Sequence, residues 1–284
     1  MKKFVIGIIS FLLTILLILT IVLTTYNFTI NSKDYLLNTL EKNDFYPELR
    51  SAIDDHFEEY VLQSGLPEDI FVGLVTNEFL RNMVTKNVDI FYAYVHGKSS
   101  TLEINLDTTN LQNALITRIN NFINENNIVL DSEGQKSIDE YLRIVFEPFS
   151  LNDVINNGLD TAANYLQKIN DLYRIAMGCI IIVVVILTVL LFVLYKNLIS
   201  SLTCTLAVIF SSAIIIRVVS EILLRNKIIN DFYIFSIYFS NAIVSYIQGI
   251  FNILILITNI VFAVVIVLFI ALLLFGKRKS KIKY

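Results

Sequence analysis

Two opposite charges lie four residues apart inside an otherwise apolar stretch of this chain. Arg217 and Glu221 both belong to the segment 202–224. Side chains at i and i+4 share one face of a helix, so the spacing predicts an ion pair. Charge within a membrane-spanning segment is costly and is usually tied to function, but near the end of a helix a long side chain can reach the headgroups. The sequence leaves open an anchoring ion pair, which it favours, and a functional element such as a gate or a switch.

Uncharged polar residues extend this pair to a predicted network. Asn259 lies in the last apolar tract, and Ser211 and Ser212 should reach a similar depth on the segment 202–224. Such groups join membrane helices by hydrogen bonds of about 0.6–2 kcal/mol, so helix packing is their default role. The predicted intramembrane polar network comprises Arg217, Glu221, Asn259, Ser211 and Ser212.

No other group of residues has a spacing typical of catalysis or metal binding. His56 and Glu59 are three residues apart, but one helical turn supplies at most two or three ligands, and His96 is forty residues away. The chain contains no HExxH, GxSxG, CxxC or phosphate-binding glycine loop. We therefore predict a solvated acidic surface around His56, no catalytic residue, no metal site, no cofactor and no enzymatic activity.

The charges separate a polar segment from long apolar tracts. The chain is 55% hydrophobic, with a mean hydropathy of +0.66. Residues 27–174 hold 23 of the 25 acidic residues and 11 of the 22 basic residues, a net charge of −12. This composition is typical of a multi-span membrane protein, and residues 27–174 are long enough for one domain. Cys179 and Cys204 lie in predicted membrane helices, too far apart in depth for a disulfide.

Four tracts are long and apolar enough to cross a bilayer. They cover residues 1–26, 175–195, 202–224 and 250–276. The first could be a signal peptide, but its apolar part exceeds the usual length and no cleavage site follows, so we predict a retained span. Residues 232–249 are aromatic and uncharged, and they form either an interfacial helix or an extension of the fourth span.

The basic residues predict the orientation. With four spans, Lys2, Lys3, Lys196 and the basic tail 277–284 lie on one side of the membrane, with eight basic residues and no acidic one. This is the pattern of cytoplasmic loops. We predict a cell-membrane protein with both termini cytoplasmic and residues 27–174 extracytoplasmic. The basic tail should bind anionic lipid rather than nucleic acid.

Helix start and stop signals recur between the first and second spans. The predicted helices cover residues 44–65, 67–96, 107–126 and 134–148, with a loop at 98–106 that is briefly extended. The predicted fold class is all-α: four transmembrane helices with a helical extracytoplasmic bundle domain of five or six helices between the first and second spans.

The last helix of this domain is predicted to continue into the second span. Ser150 and Asp153 resemble a capping box, and an amphipathic stripe then precedes the uncharged run 175–195. The stripe comprises Leu151, Ile155, Leu159, Ala162, Leu166, Ile169 and Tyr173. One continuous helix over residues 151–195 should therefore connect the domain with the membrane.

Two resemblances follow from this arrangement. The stretch 66–97, its following loop and the helix at Asp107 resemble a pattern in uncharacterised bacterial membrane proteins with one N-terminal span, a helical extracytoplasmic domain and three C-terminal spans. In topology, the chain also resembles permease subunits of ABC systems of the cell-division and macrolide-export type. Those families couple to a cytoplasmic ATPase at the inner face, and the short N-terminal arm and the short loop near Lys196 depart from that pattern.

The sequence supports two functions of different classes. The first is a non-enzymatic envelope protein that uses its extracytoplasmic domain to bind a partner, to sense a condition or to act as a scaffold. Its partners would be membrane lipid and another envelope protein or a second copy of the chain. The alternative is a transport or channel component, a permease-like subunit in which Arg217, Glu221 or Asn259 line a wet path. An enzyme acting on wall or lipid ranks last.

Overall fold

The computed structural model describes residues 1–64, 66–104, 107–129, 131–146, 152–226 and 237–281, and among these it leaves the side chains of 59–64, 152–158, 237–239 and 275–281 undescribed. The described residues are predominantly helical and contain no strand, so the predicted all-α class is confirmed. The chain divides into two compact units, one of Met1–Thr39 with Asp171–Tyr284 and one of Leu40–Asn170.

The α-helices are named here in chain order. They are α1 Lys2–Phe28, α2 Lys33–Lys42, α3 Phe45–Ser64, α4 Asn77–Val95, α5 Thr109–Glu125, α6 Ser132–Phe146, α7 Asn152–Tyr195, α8 Leu198–Leu224 and α9 Ile237–Lys281.

Four helical stretches are long and apolar enough to cross a membrane, as the sequence predicts. They are Lys2–Phe28, Leu159–Tyr195, Leu198–Leu224 and Ser240–Leu274. In the first unit, buried apolar side chains of α1, α7 and α8 pack together, among them Leu13, Leu191 and Val208. Both cysteines are free, as expected from their separation.

The turn between α7 and α8 is shorter than predicted. Instead of a link over residues 196–201, only Lys196 and Asn197 separate the two helices. Lys196 adopts a left-handed backbone with φ of 55°. The Asn197 side chain then caps α8 by accepting a hydrogen bond of 3.1 Å from the Ile199 N–H. The reversal is thus completed in two residues, and α8 begins four residues earlier than expected.

The last span is one uninterrupted helix. Because α9 runs from Ile237 to Lys281, its residues up to 249 extend the span instead of forming a separate interfacial helix. Two hydrogen bonds hold this extension against other residues of its unit. The Tyr246 hydroxyl donates to the Thr29 carbonyl at 3.3 Å, and the Tyr35 hydroxyl donates to the Tyr246 carbonyl at 3.4 Å. The helix also continues past Gly276, where the fourth span was predicted to end. Residues 232–236 lie outside the described residues.

The second unit is built around aromatic and branched apolar side chains. The Phe71 ring lies 5.9 Å from the Phe57 ring and 6.3 Å from the Tyr141 ring, measured between centroids. Leu80, Leu115 and Ile119 are buried on the inner faces of α4 and α5. The core of this unit therefore includes the inner faces of α4 and α5.

The predicted helix over residues 67–96 is wrong in its first third. Only a short 3₁₀ helix, Glu68–Ile70, follows Pro67, and α4 begins at Asn77. Gly73 has φ of +67°, and the Thr76 side chain caps α4 by accepting from the Phe79 N–H at 3.1 Å. This left-handed residue and the N-cap interrupt the helix between 70 and 77.

The side chain of Arg118 holds the non-helical segment between Ile70 and Asn77. Nη1 of Arg118, on α5, donates to the carbonyl oxygens of Ile70 and Val72 at 3.0 and 2.8 Å. A guanidinium group can satisfy backbone carbonyls that no helix pairs. The loop is therefore held by a residue nearly fifty positions later, which local helix signals do not reveal.

The polar turn before α6 is also shorter than the predicted 126–134. The helix begins at Ser132, because the Asp131 carboxylate accepts from the N–H groups of Glu133 and Gly134 at 3.2 and 2.7 Å. It is described to Phe146, so its predicted end at Pro148 and the predicted capping box at Ser150 lie outside the described residues.

The predicted continuous helix is confirmed from Asn152 to Tyr195, where α7 runs for 44 residues without a break. Its predicted apolar stripe is wrong at two positions, since Ala162 and Ile169 are exposed while Ala163 and Asn170 are buried. Leu151 and the side chain of Ile155 are not among those described.

Candidate functional site

Three of the five predicted polar residues meet at the junction of α8 and α9. The Arg217 Nε donates to Glu221 Oε1 at 2.5 Å, one turn along α8. The Arg217 Nη1 donates to Oδ1 of Asn259, at the centre of α9. One guanidinium group thus joins a carboxylate of its own helix to an amide of the neighbouring helix, which we call the Arg217 cluster.

Antiparallel packing of α8 and α9 brings these residues together. Two turns before Arg217 in α8, the centroid of the Phe210 ring lies 5.1 Å from the centroid of the Phe262 ring of α9. Thr258, next to Asn259, is fully buried, and its hydroxyl donates to the Ile255 carbonyl at 2.8 Å. With Thr258 turned inward, Asn259 lies at the edge of the helix pair and reaches Arg217.

The Arg217 cluster is well inside α8 and is only partly covered. At about 1.5 Å per residue, Arg217 lies roughly 12 Å before Arg225, the C-cap of the helix. The Arg217 and Glu221 side chains remain 32% and 39% exposed. An arginine at the centre of a membrane helix costs about 2.5–3.5 kcal/mol on insertion scales, which is an upper value for Arg217 because it lies towards the end of α8. The ion pair within α8 and the contact with the Asn259 amide offset part of this cost, and the amide contact joins α8 to α9.

The two predicted serines do not join the cluster. The Ser211 hydroxyl is exposed and donates to the Ala207 carbonyl of its own helix at 2.9 Å. The Ser212 hydroxyl is buried against α1 and lies within hydrogen-bonding distance of the carbonyls of Val208, at 2.9 Å, and Thr14, at 3.3 Å. Ser212, one residue after Ser211, therefore faces α1, where its hydrogen bond can hold the two helices together.

A second polar contact, which the sequence analysis did not identify, lies in the unit Leu40–Asn170. The Gln167 Nε2 donates to the Tyr94 carbonyl at 3.3 Å, and the Asn170 Nδ2 donates to the Val95 carbonyl at 3.4 Å. The Tyr94 hydroxyl donates in turn to Asn164 Oδ1 at 2.6 Å. The last carbonyls of a helix have no partner within it, so amides of α7 here satisfy the end of α4. We call this contact the α4–α7 clamp.

The sequence does contain a signal for the clamp. Asn164, Gln167 and Asn170 are spaced at i, i+3 and i+6, which places three amides along one side of α7. A search for an apolar stripe ignores them, and this explains the error at Ala162 and Ile169. The face of α7 that packs in this unit is partly an amide face.

An exposed ion pair connects further residues of the same unit. The Arg81 guanidinium, on α4, donates to Glu41, on α2, at 2.9 and 2.6 Å, and its carbon lies 5.4 Å from the centre of the Tyr46 ring of α3. The hydrogen bond and the charge of Arg81 lower the pKa of Glu41 below its ordinary value. Burial, and secondarily the Glu41 charge, raise the pKa of Tyr46.

The acidic surface around His56 offers no assembled metal site. Asp54 pairs with Arg50 at 3.3 Å, one turn back on α3. No group of three or more histidine, cysteine or acidic residues is close enough to hold a metal ion within the part of the chain that the structure describes. His96 is the C-cap of α4, and its backbone N–H donates to the Tyr92 carbonyl at 3.0 Å.

Comparisons of the chain with protein-family models, with curated proteins and with solved structures give no match. The chemistry available at the Arg217 cluster is therefore that of its own groups: a hydrogen-bonded ion pair and an amide, suited to holding helices together or to binding polar groups, with no nucleophile paired to a base.

Proposed function

We propose that this chain is a non-enzymatic, multi-pass protein of the cell membrane that presents the helical unit Leu40–Asn170 on the outer side, where it binds a partner protein or acts as a scaffold. The observation that carries the proposal is the continuity of α7. Its first part contributes amides to the α4–α7 clamp, and its last part contributes Leu191 to the core formed with α1 and α8. A helix without a break between such contacts is suited to joining a domain to a membrane anchor.

The charge distribution supports the proposed orientation. The eight basic residues of the predicted inner side comprise Lys2, Lys3, Lys196 and the tail 277–284, whereas residues 27–174 have a net charge of −12. Positively charged segments are retained on the cytoplasmic side during insertion. Both termini would therefore be cytoplasmic.

Exposed apolar side chains on the helical unit support partner binding. Val129, in the turn before α6, is 94% exposed, and Val72, in the loop fixed by Arg118, is 58% exposed. Single exposed apolar residues are common, but residues of this kind are where a protein partner would gain by excluding water. They are the positions from which to search for that partner.

The experiment places a photo-crosslinking amino acid at Val129 or Val72 of the full chain in living cells. A matched control carries it at Asn121, an exposed polar residue of α5 in the same unit. We expect a discrete adduct with another protein from Val129 or Val72, and not from Asn121. The absence of any adduct at the two apolar positions, or the same adducts from all three, would contradict the proposal.

One observation favours the second candidate, a permease-like transport or channel component. The Arg217 cluster keeps two charges partly exposed within a helix long enough to span a membrane. If these groups line a wet path, Arg217→Ala and Asn259→Leu should each change the K⁺ or Cl⁻ conductance of planar bilayers that contain the protein. Conductance no higher than that of protein-free bilayers would eliminate a channel for these ions.

A further inference from the structure

The junction of α8 and α9 presents polar groups on its outward side, where an isolated chain would face lipid. Asn252, Asn259 and Arg225 are exposed, and Arg217 and Glu221 are partly exposed. On α9, Asn252 and Asn259 are seven residues apart and therefore share one face of the helix. Lipid tails offer these groups no hydrogen bonds, so the surface is poorly suited to contact with lipid alone.

The Arg217 cluster has hydrogen-bonding capacity that its own chain does not use. A guanidinium group carries five N–H donors, and the contacts of Arg217 engage Nε and Nη1. Nη2 of Arg217 and Oε2 of Glu221 have no partner among the described residues. A free donor and a free acceptor therefore lie one helical turn apart on the same surface.

An apolar groove continues this surface towards the start of α8. Its volume is about 300 Å³, and it is lined by Leu206, Ala207, Phe210, Val265, Ile266, Phe269 and Ile270. Two small residues of these helices are exposed: Ala207, which lines the groove, and Ala263, which precedes the groove residues of α9. Small side chains allow another helix to approach closely. The polar groups and the groove thus form one strip along the α8–α9 junction.

We propose that this strip is the interface with a second copy of the chain, related by a two-fold axis along the membrane normal. A two-fold interface brings the same patch together with itself, so it requires a patch that is complementary to itself. Arg217 and Glu221 meet this requirement, because the unused donors of one copy can pair with the unused carboxylate oxygen of the other. A lipid tail would fill the groove but would offer no hydrogen bond to Nη2 of Arg217 or to Oε2 of Glu221.

Cross-linking between single cysteines tests this interface in membranes. In the full chain with Cys179→Ser and Cys204→Ser, a cysteine replaces Val218, an exposed residue of α8 on the strip, or Ile186, an equally exposed residue of α7 as the matched control. A short bis-maleimide should join two copies through Val218→Cys and not through Ile186→Cys. No dimer from Val218→Cys, equal dimer from both positions, or an adduct with a different protein would overturn the proposal.

Charge substitutions distinguish contacts between copies from contacts within one copy. Arg217→Glu gives a copy with two acidic groups, and Glu221→Arg gives a copy with two basic groups. Two differently tagged copies, each also carrying Val218→Cys, are therefore compared alone and co-expressed. We expect the dimer fraction of each variant alone to fall by about threefold to tenfold, the range for polar contacts between membrane helices, and the mixed dimer to recover. Equal cross-linking of like and mixed pairs would overturn the pairing.

Discussion

Gly249 shows how a single residue is fixed by its neighbours. A Cβ atom added to it would lie 2.3 Å from the Tyr35 hydroxyl oxygen and 3.5 Å from the Cζ atom of that ring. The Tyr35 ring cannot yield freely, because its centroid lies 5.3 Å from that of Tyr246 and its hydroxyl donates to the Tyr246 carbonyl. The absence of a side chain at 249 is therefore what permits α2 and α9 to approach.

We expect Gly249→Ala to destabilise the protein by about 1–3 kcal/mol, as overpacking of a tight contact does. Thermal unfolding of the detergent-solubilised full chain measures the effect. Gly178→Ala in α7 is the matched control, since no atom lies within 4 Å of its added Cβ, and it should not lower the melting temperature.

A double variant identifies the cause. Tyr35→Phe removes the oxygen and leaves the ring carbon at an ordinary contact distance, so Gly249→Ala with Tyr35→Phe should be more stable than Gly249→Ala alone. If the two substitutions simply add their separate losses, a clash with the hydroxyl is not the reason.

The pair of Glu41 and Arg81 gives a prediction for pH. The folded-state pKa of Glu41 is below its ordinary value because Arg81 binds the carboxylate. The resulting stabilisation is present above the ordinary pKa of about 4.5 and is lost as the pH falls through the lowered value. Glu41→Gln should therefore lower the melting temperature slightly at pH 7 and leave it unchanged at strongly acidic pH.

Glu103→Gln, at an exposed residue of the loop after α4, serves as the control and should give no such difference at either pH. The effect at Glu41 should be small, since both side chains of the pair are about half exposed to solvent. A loss at Glu41 that does not depend on pH would show that packing, rather than charge, is responsible.

Single-residue chemistry was predictable from sequence where the partners are local. The four-residue spacing predicted the contact of Arg217 with Glu221, and apolar surroundings identified Asn259 as a polar residue of the same region. The direction of Ser212 was not predictable, because it depends on which side of α8 packs against α1. Local spacing determines helix neighbours, but tertiary packing determines which helix each side chain meets.

Among the helices, the α4–α7 clamp is the contact with the clearest consequence. Asn170 is 4% exposed, and its amide donates to the Val95 carbonyl. Asn170→Leu should destabilise the helical unit by about 1–3 kcal/mol, the cost of leaving a buried polar group without a partner. Hydrogen exchange should become faster in the last turn of α4, while Asn121→Leu on exposed α5 should leave it unchanged. Equal exchange in the two variants would argue against the clamp.

Helix boundaries were predictable where the stop signal is local and not where a distant residue acts. The predicted helix start at residue 44 lies within one residue of the start of α3, and Gly97, with φ of +70°, follows the end of α4. The break between Ile70 and Asn77 was missed because Pro67 and the acidic residues after it imitate a helix start, while Arg118 holds the loop from α5. Distant hydrogen bonds here override local signals.

For the whole molecule, the proposed orientation predicts a labelling pattern. In a chain with Cys179→Ser and Cys204→Ser, a membrane-impermeant maleimide should label Ser100→Cys, in the loop after α4, on intact cells. It should label Lys196→Cys, in the turn between α7 and α8, only after permeabilisation. The reverse pattern would invert the orientation, and labelling of both sites on intact cells would refute the count of four spans.

The all-α class and the four long apolar helices were predictable because bilayer-length hydrophobic runs leave few alternatives. The extent of α9 was not, because the aromatic segment before residue 250 suits both an interfacial helix and a helical extension. In the extension, Tyr246 forms hydrogen bonds with Thr29 and Tyr35, which lie more than 200 residues earlier in the chain. Composition thus identified the spans, and long-range contacts revealed how far one of them continues.

The two-residue turn at Lys196 and Asn197 has a consequence for biosynthesis. Of the four candidate spans, the one in α8 is the least hydrophobic, and it carries Arg217 and Glu221. Because the turn is this short, α7 and α8 cannot enter the membrane separately, so they should leave the translocon together as a helical hairpin. The strongly apolar α7 would then promote insertion of α8, with its charged residues, into the bilayer. A long hydrophilic insertion between the two helices should therefore leave α8 uninserted in a fraction of newly made chains.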